Sequence, residues 1–552
     1  MTAQPSSRRI LRASLIIMGA YIVGRPVDLV RVALIASAFG TSPAYDAFVA
    51  ASNFPEMLFT LVSGGALLTA FLPVFTEYLT RSDLTGAWKL ASGALNAVLL
   101  LTALLALVSA IFAPQIARLA APGFDAENLA LTANLMRLIL VSTIVFSASG
   151  IVMGALNAHQ HFLLPAIAPI LYDLGIIGGA FFLAPRIGIY GLAWGVVVGS
   201  LLHLGAQIPG LVRVGARWTA TLDWRDAGLR RVAALMIPRA LGLGVVQLNF
   251  FVTYALASLI GAGAVSALRF GWMLMQVPET VIGTAIATAA FPTLSEQAAH
   301  DSRDGLRQTL SSTLRAILAL TIPAAVGLVM LGRPLTRLMF ERGSFDAAST
   351  QAVMWALQFY AVGLVGHAAL EVVARTFFAQ QDTRTPLFVA LGAMLANVAL
   401  SLLLMRPLGH GGLALSNSLA VTLEVVWLLL IARRRLGGIQ GRALMASMAR
   451  FVVGAGVMAL AVGLWMMLAR FADERLAGVA GAILGVAVYL AATLALGSPE
   501  IRPLLDLVLR RRTARRSNIG LICPSLINQA ARCARPLGLM ISGRRFIADL
   551  PE

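Results

Sequence analysis

Long apolar runs, separated by short polar segments, follow one another along almost the whole chain. Many of these runs reach about 20 residues, the length an α-helix needs to cross the hydrocarbon core of a membrane. Strand-type alternation is absent, which argues against a membrane barrel. The pattern predicts an all-α polytopic membrane protein with about 14 transmembrane helices. The predicted spans are 10–38, 47–75, 88–113, 129–156, 162–184, 189–212, 232–260, 264–294, 308–332, 350–379, 385–405, 411–432, 446–469 and 477–497.

The composition excludes several classes of protein. Of the 552 residues, 59% are hydrophobic and only 12% charged, which no soluble domain tolerates. The two cysteines, Cys523 and Cys533, lie in a polar C-terminal segment and suggest neither a disulfide framework nor a metal site. The chain has no Walker-type phosphate loop and no recognisable catalytic constellation. We therefore expect a protein that is not an enzyme, without a cofactor and without direct use of ATP.

The excess of basic residues follows the membrane topology. A net charge of +18 would suit a nucleic-acid-binding protein, but the arginines are concentrated in alternate loops. The 213–231 loop alone carries five of them. By the positive-inside rule these loops are cytoplasmic, which also places both termini in the cytoplasm. The sequence thus predicts a multi-pass protein of the cytoplasmic (inner) membrane, with membrane lipids rather than nucleic acid as its surroundings.

An internal repeat relates the two halves of the chain. Pro73 and Glu77 recur as Pro292 and Glu296, an offset of 219 residues. Two further matches, at offsets of 223 and 221 residues, are Pro55 with Pro278 and Pro165 with Pro386. Each half would contain six helices, an even number, so the halves share one orientation and are related by an axis along the membrane normal. Two such halves around a central cavity are typical of alternating-access transporters.

These observations predict four segments. Residues 1–228 form an N-terminal lobe of helices 1–6, and residues 229–436 form a C-terminal lobe of helices 7–12. Residues 437–500 contain helices 13 and 14. Residues 501–552 form a weakly ordered cytoplasmic tail, because they lack a span-length apolar run.

Charged residues inside the first two spans are the strongest functional signal. The first span contains Arg25, Asp28 and Arg31, which share roughly one helix face, and the second contains Glu56. A charge at the centre of a bilayer costs about 2.5–3.5 kcal/mol on insertion scales, so such residues usually face a protein interior or a hydrated cavity. One interpretation is mutual neutralisation of Arg25 and Asp28, with Arg31 reaching the interface. The repeat favours the other, a cationic cavity that receives an anionic substrate.

Several motifs resemble those of one transporter family, the MurJ (MviN) family of lipid II flippases in the multidrug/oligosaccharidyl-lipid/polysaccharide exporter superfamily. The resemblance covers about residues 8–500. The motifs are the first helix from Arg25 to Gly40, Asp46-Ala47-Phe48 followed by Pro55, Phe71 to Tyr78, Ala121 to Phe124, Phe340 to Asp346, and Arg375 through Pro386. The resemblance implies 14 helices, of which the last two form a lipid-entry groove.

The family's site residues transfer only in part. Arg25 and Arg31 match the two arginines of the family's first helix, and Asp46 matches an aspartate at the start of its second. Phe59 and Met273 stand where the resemblance places two further arginines. The predicted substrate-binding residues are Arg25, Asp28, Arg31, Asp46 and Glu56. Asn397 matches a position near a sodium site in some relatives and is the predicted ion-coupling residue.

The resulting functional prediction is a flippase for a polyprenyl-pyrophosphate-linked saccharide, with lipid II, the peptidoglycan precursor, as first choice. Transport would serve cell-wall synthesis and cell shape, driven by a sodium or proton gradient or by the membrane potential. Cell-wall synthesis proteins are candidate partners. The non-arginine residues Phe59 and Met273 keep two alternatives open. These are an exporter of another lipid-linked oligosaccharide or small molecule, and a transport-inactive membrane scaffold.

The first testable prediction concerns topology. The 213–231 loop should be cytoplasmic because it carries five arginines. A single cysteine introduced as Arg217→Cys should therefore resist a membrane-impermeant thiol reagent in intact cells and react after permeabilisation. Labelling in intact cells would contradict the predicted orientation.

Overall fold

Helices make up all the regular structure of the described chain. The computed structural model describes residues 7–62, 65–469, 471 and 473–501. The helices are α1 (Ser7–Phe39), α2 (Pro43–Val62), α3 (Gly65–Thr80), α4 (Leu84–Ile111), α5 (Ala113–Ala120), α6 (Ala126–Ala158), α7 (Leu163–Gly178), α8 (Ala184–Ile187), α9 (Ile189–Gly205), α10 (Ile208–Arg213), α11 (Ala227–Ser258), α12 (Ala264–Pro278), α13 (Ala285–Ala299), α14 (Arg303–Met339), α15 (Ala347–Ala379), α16 (Arg384–Leu408), α17 (His410–Arg435), α18 (Gly441–Leu468) and α19 (Glu474–Ala495). Two π-helical turns, Gly179–Leu183 and Glu279–Thr284, continue α7 and α12 into the next helix.

The described residues contain 11 helical segments that are long and apolar enough to cross a membrane, or 12 when the bent α11 is counted as one span. The segments α1 and α2–α3 are not among them. These two carry the charged residues Arg25, Asp28, Arg31 and Glu56, which lower their hydropathy. An all-α multi-span protein is confirmed, whereas the count of 14 spans remains a prediction.

Side-chain caps start many of the helices. Asp83, Asp125, Asp226, Ser302, Asp346 and Asp473 each accept a hydrogen bond from a backbone N–H in the first turn that follows. Such caps satisfy amides that have no partner within the helix. At Asp346 the backbone N–H of Ser349 donates over 2.8 Å and holds the pKa of the carboxyl below its ordinary value. At these six positions a polar residue in the preceding loop thus marks the first residue of the helix.

Glycines bring α7 and α9 into close contact. A Cβ atom at Gly175 would lie 2.3 Å from the Cα of Gly199, and one at Gly179 would lie 2.6 Å from the Cα of Gly195. The glycines follow a four-residue spacing along both helices, the arrangement that lets membrane helices approach closely. Any larger side chain at these positions would separate the two helices.

Turns from the two halves of the chain meet at one end of the helices. The backbone N–H of Ser344 donates to the carbonyl of Ser37 over 2.8 Å, and the hydroxyls of Thr41 and Ser349 are 2.9 Å apart. Gly40 adopts a φ of +56°, and a Cβ there would lie 2.4 Å from the carbonyl oxygen of Ser344. We call these contacts, together with those of Asp46 described below, the turn interface.

The helices otherwise pack through three apolar clusters. One joins α3, α4, α6 and the start of α11, and another joins α13 to α17. The largest includes residues of both halves beside the turn interface, where Phe270, Phe340 and Phe345 lie in mutual ring contact. Residues up to Gly497 form one compact unit. The four predicted segments and the superposition of the two six-helix halves remain predictions. Most of the predicted tail, from residue 502, lies outside the described residues.

A polar cluster fixes the loop between α15 and α16. One carboxylate oxygen of Asp382 accepts a hydrogen bond from the Thr385 amide over 3.0 Å. The other accepts from the Arg435 guanidinium and the Thr385 hydroxyl, each over 2.6 Å. Burial alone would raise the pKa of Asp382, but the bonds from Thr385 and Arg435 outweigh it and lower the pKa to about 2. The cluster therefore stabilises the fold while Asp382 is ionised.

The second prediction tests this cluster. The folded-state pKa lies below the ordinary 3.8, so the stabilisation is present above about pH 4 and is lost as the pH falls toward the folded value. Asp382→Asn should lower the free energy of unfolding in detergent by about 2 kcal/mol at neutral pH. The difference from the parent should narrow below about pH 4.

The matched control is Asp304→Asn. Asp304 pairs with Arg307 over 2.9 Å, but its side chain is 87% exposed. An exposed ion pair contributes about 0–1 kcal/mol, so this variant should unfold nearly as the parent does. A destabilisation by Asp382→Asn that is the same at every pH would contradict the role assigned to the Asp382 carboxylate.

Candidate functional site

A large cavity lies between helices of the two halves. Its volume is about 940 Å³, and its walls come from α1, α2, α6, α7 and α9 on one side and from α11 and α12 on the other. Four of the predicted site residues line it: Arg25, Asp28, Arg31 and Glu56. The charged side chains of the first two spans therefore face a hollow within the protein, which is where charge inside a membrane-spanning segment is expected to lie.

Arg25 and Arg31 have different surroundings. Arg31 donates to Asp28 over 2.6 Å and to Asp173 over 2.8 Å, and its side chain is 19% exposed. Asp173, on α7, was not predicted from sequence. Arg25 is exposed along the cavity and forms no ion pair within the described part of the chain. Arg31 is therefore largely neutralised, whereas the Arg25 guanidinium is available to a ligand.

A third arginine, Arg269 on α12, also lines the cavity and was not predicted from sequence. Its half-buried side chain lines the cavity, as do the side chains of Tyr254 and Glu56. Tyr45 lines the same cavity. Arg269 could have been predicted from sequence, because it is a single arginine in an otherwise apolar run, where charge is costly and usually faces a cavity.

The charges of the cavity nearly cancel. Three guanidinium groups, on Arg25, Arg31 and Arg269, face the carboxylates of Asp28 and Glu56 among the lining residues. Asp173 adds a further negative charge behind Arg31. The cavity is therefore not a strongly cationic funnel. Arg31 is ion-paired, whereas neither Arg25 nor Arg269 forms an ion pair among the described residues.

Phe59 and Met273, which stand where the resemblance placed arginines, both line the cavity. The Phe59 ring lies 5.4 Å from the ring of Phe146, centroid to centroid. Phe146 also contacts Tyr172 and His203, at 4.9 Å and 5.3 Å. This part of the wall is aromatic rather than cationic.

Asp46 lies outside the lining of the cavity. Its side chain is buried, with 1% exposure, and accepts hydrogen bonds from the backbone N–H groups of Gly263 and Ser266, over 2.5 Å and 2.7 Å. The Ser266 hydroxyl donates to it as well. These donors belong to the first turn of α12, where a carboxylate is favoured by unpaired amides and the helix dipole. The structure thus gives Asp46 a place in the turn interface, in contrast to the expected position at the substrate.

Asn397 also lies away from the cavity. It is buried, and its amide donates to the side-chain oxygen of Asn249 over 2.7 Å. Its own side-chain oxygen has no partner among the described residues, nor has the hydroxyl of Ser401 one turn further along α16. The described part of the chain contains no cluster of three or more His, Cys, Asp or Glu side chains placed to hold a metal ion.

The fold has known relatives among membrane transporters. It is similar to a solved structure titled "Lipid II flippase MurJ, inward closed conformation", with a TM-score of 0.76 and 24% identity over 89% of this chain and all of that one. It is also similar to an inward-facing multidrug resistance MATE family transporter, with a TM-score of 0.65 and 16% identity over 76% of this chain and 94% of that one. Together with the apolar helices, this defines a multi-span membrane protein with the fold of these structures.

Sequence comparison identifies the family. A family model described as "Lipid II flippase MurJ" matches residues 35–478. The "Lipid II flippase MurJ" of Burkholderia cenocepacia is 32% identical over 77% of this chain and 84% of its own length. The "Probable lipid II flippase MurJ" of Vibrio cholerae is 28% identical over 89% and 97%. The chain belongs to the MurJ lipid II flippase family, a family of inner-membrane transporters rather than enzymes, which confirms the resemblance.

The third prediction concerns Asp46. Asp46→Ala would leave the amides of Gly263 and Ser266 unsatisfied, and a buried polar group that loses its partner costs about 1–3 kcal/mol. We expect a lower unfolding temperature in detergent for this variant. Asp46→Asn, which keeps one acceptor oxygen, should recover part of the loss. An Asp46→Ala protein as stable as the parent would contradict the capping role.

Proposed function

We propose that this protein moves lipid II from the inner to the outer leaflet of the cytoplasmic membrane by alternating access. The observation that carries the proposal is the unpaired Arg25 inside a large cavity, in a chain of the MurJ family. The substrate would be a polyprenyl-linked saccharide joined through a pyrophosphate. The termini would lie in the cytoplasm, as the distribution of arginines predicts.

Arg25 would make the main contact with the pyrophosphate. A guanidinium binds phosphate oxygens in pairs, and an uncompensated one needs no carboxylate to be displaced first. Arg31 is held by Asp28 and Asp173, so it would contribute its remaining hydrogen-bonding capacity and shape the field. Glu56 would offset the charge of the cavity arginines rather than contact the anion, because like charges repel.

The turn interface supports a conformational cycle. Ser37, Thr41 and Asp46 from the first half bond to residues 263–266 and 344–349 of the second half. These turns lie on the side predicted to be periplasmic. In our proposal the interface keeps that side closed while substrate enters from the cytoplasmic leaflet, and it separates when the cavity opens outward. The groove of the last two helices, α18 and α19, would guide the lipid chain.

The energy source would be an ion gradient or the membrane potential. A site formed by Asn249, Asn397 and Ser401 offers neutral oxygen ligands and no carboxylate. Hard cations prefer oxygen ligands but are held most firmly where carboxylates supply negative charge. Coupling through Asn397 would therefore be weak, which favours the membrane potential.

One alternative has support in the cavity itself. The near-cancellation of charge, with Phe59 and Met273 in the wall, would also suit another lipid-linked saccharide with a less demanding anion. Measuring the translocation of lipid II and of another polyprenyl-linked saccharide side by side distinguishes these two substrate assignments. In a scaffold that recruits cell-wall synthesis proteins, the unpaired Arg25 would have no ligand.

The fourth prediction tests the anion contact. In proteoliposomes, Arg25→Ala should reduce the rate of lipid II translocation about ten- to a hundredfold, because a charged hydrogen bond contributes roughly 1.5–3 kcal/mol. Arg25→Lys keeps the charge without the planar fork and should fall between Arg25→Ala and the parent. Arg31→Ala should reduce the translocation rate and also the stability of the protein, because it leaves the carboxylates of Asp28 and Asp173 unpaired.

The control is Arg186→Ala, which removes an exposed arginine outside the cavity. It should translocate lipid II as the parent does at equal reconstitution. If Arg25→Ala and Arg31→Ala both match the parent, the anion-binding mechanism is wrong. If the parent itself moves no lipid II but moves another polyprenyl-linked saccharide, the substrate assignment is wrong.

A further inference from the structure

Four aromatic rings from four helices form a continuous patch in the cavity wall. Phe146 on α6 lies at its centre, in ring contact with Phe59 on α2, Tyr172 on α7 and His203 on α9. All four residues line the cavity. We call this group the aromatic wall. It adjoins the charged part of the cavity, because Tyr172 precedes Asp173, the partner of Arg31.

The fold holds this patch firmly. Gly199, one turn before His203 on α9, packs against Tyr172 so closely that a Cβ there would lie 2.5 Å from the Tyr172 carbonyl oxygen. Phe59, Phe146 and Tyr172 are half-buried, so each keeps part of its surface open to the hollow. The close packing of α9 on α7 and the ring contacts of Phe146 thus place the four rings side by side.

A buried hydrogen-bond relay fixes the orientation of His203. The Gln207 side-chain amide donates to the Ser149 hydroxyl over 2.7 Å and to the His203 carbonyl over 3.0 Å. The carbonyl contact requires an N–H group, which settles which end of the amide faces the pair. Ser149 and the Nδ1 atom of His203 are 2.7 Å apart.

The relay also determines the tautomer of the ring. The Gln207 Nε2 atom, which can only donate, also lies 3.4 Å from Nδ1, so Nδ1 acts as the acceptor for it and for the Ser149 hydroxyl. A neutral imidazole with Nδ1 as acceptor carries its proton on Nε2. No described residue bonds to Nε2, although His203 lines the cavity. The result is an N–H donor beside the aromatic wall without a partner in the protein.

We propose that the aromatic wall and His203 form a saccharide-binding subsite, distinct from the arginines that would hold the pyrophosphate. A pyranose ring presents an apolar C–H face, which packs on aromatic rings, and a rim of oxygen acceptors. Apolar walls with a few fixed polar groups are typical of sites that orient a ligand. Ser149 and Gln207 are positioning residues, because they act through His203. This inference rests on the proposed function and names the part of the substrate that the wall recognises.

The polyprenyl chain is a poorer occupant of this surface. A hydrocarbon chain offers no acceptor, and the His203 N–H facing it would lose its bond to water without replacement, which is unfavourable. The hydrogen bonds from Ser149 and Gln207 would then orient an N–H group toward a chain that cannot accept a hydrogen bond. A hydroxyl or amide oxygen of a sugar satisfies the N–H directly.

The test compares two ligands on the full-length protein in detergent. One ligand is lipid II, and the other is the same polyprenyl pyrophosphate without its saccharide. His203→Phe keeps the ring and removes the N–H group. It should weaken lipid II binding about tenfold, the size of one lost hydrogen bond to a neutral ligand, and leave the second ligand within about twofold. Ser149→Ala, which releases the tautomer, should weaken lipid II binding less and in the same selective way.

Two variants provide matched controls. His161→Phe alters an exposed loop histidine outside the cavity and should change neither affinity. Arg25→Ala should weaken both ligands alike, since both carry the pyrophosphate. Unchanged lipid II affinity in His203→Phe would overturn the subsite. Equal loss of both ligands, or selective loss of the saccharide-free lipid, would also overturn it, because the wall would then serve the fold or the lipid chain.

The inference and the proposed function can fail separately. If the parent binds both ligands with equal affinity, the saccharide subsite is overturned, whatever the translocation rate. If the parent binds lipid II more tightly through His203 yet translocates none of it in proteoliposomes, the subsite is supported and the flippase function is wrong.

Discussion

The cost of charge within a membrane is the constraint on which this structure depends. Each arginine inside the helical region must be compensated, hydrated or exposed to a ligand. Arg31 is compensated by Asp28 and Asp173, and Arg269 lines the cavity together with Tyr254 and Glu56. Neither Arg25 nor Arg269 forms an ion pair among the described residues, and Arg25 is the more exposed of the two. The cavity therefore places its charged groups against a hollow rather than against lipid, with the Arg25 guanidinium exposed to that hollow.

The small number of arginines in the cavity affects how a substrate could be recognised. A wall with further arginines would hold an anion more tightly, but it would also require further carboxylates. Here Phe59 belongs to an aromatic wall, and a neutral His203 supplies a directed donor instead. Affinity would then be divided between a pyrophosphate contact at Arg25 and packing of a sugar on aromatic rings. Selectivity for the saccharide would not depend on net charge.

Much of this architecture could be predicted from the sequence, for physical reasons. Apolar length predicts helices, and charge inside an apolar run predicts a cavity, so Arg25, Asp28, Arg31 and Glu56 were identified and do line it. Partners distant in the chain could not be predicted. Asp173 meets Arg31 across 142 residues, and Asp46 caps a helix 217 residues away, so helix spacing gave no sign of either. His203 resembles any single histidine in an apolar run until its relay is seen.

In the proposed mechanism the pyrophosphate of the substrate lies beside Arg25 in the cavity. Photo-crosslinking with a lipid II analogue that carries a diazirine next to the pyrophosphate tests this most directly. We expect adducts within residues 23–35 of α1 that excess lipid II suppresses and that Arg25→Ala largely abolishes. Adducts spread over membrane-facing helices such as α4, insensitive both to excess lipid II and to Arg25→Ala, would contradict it.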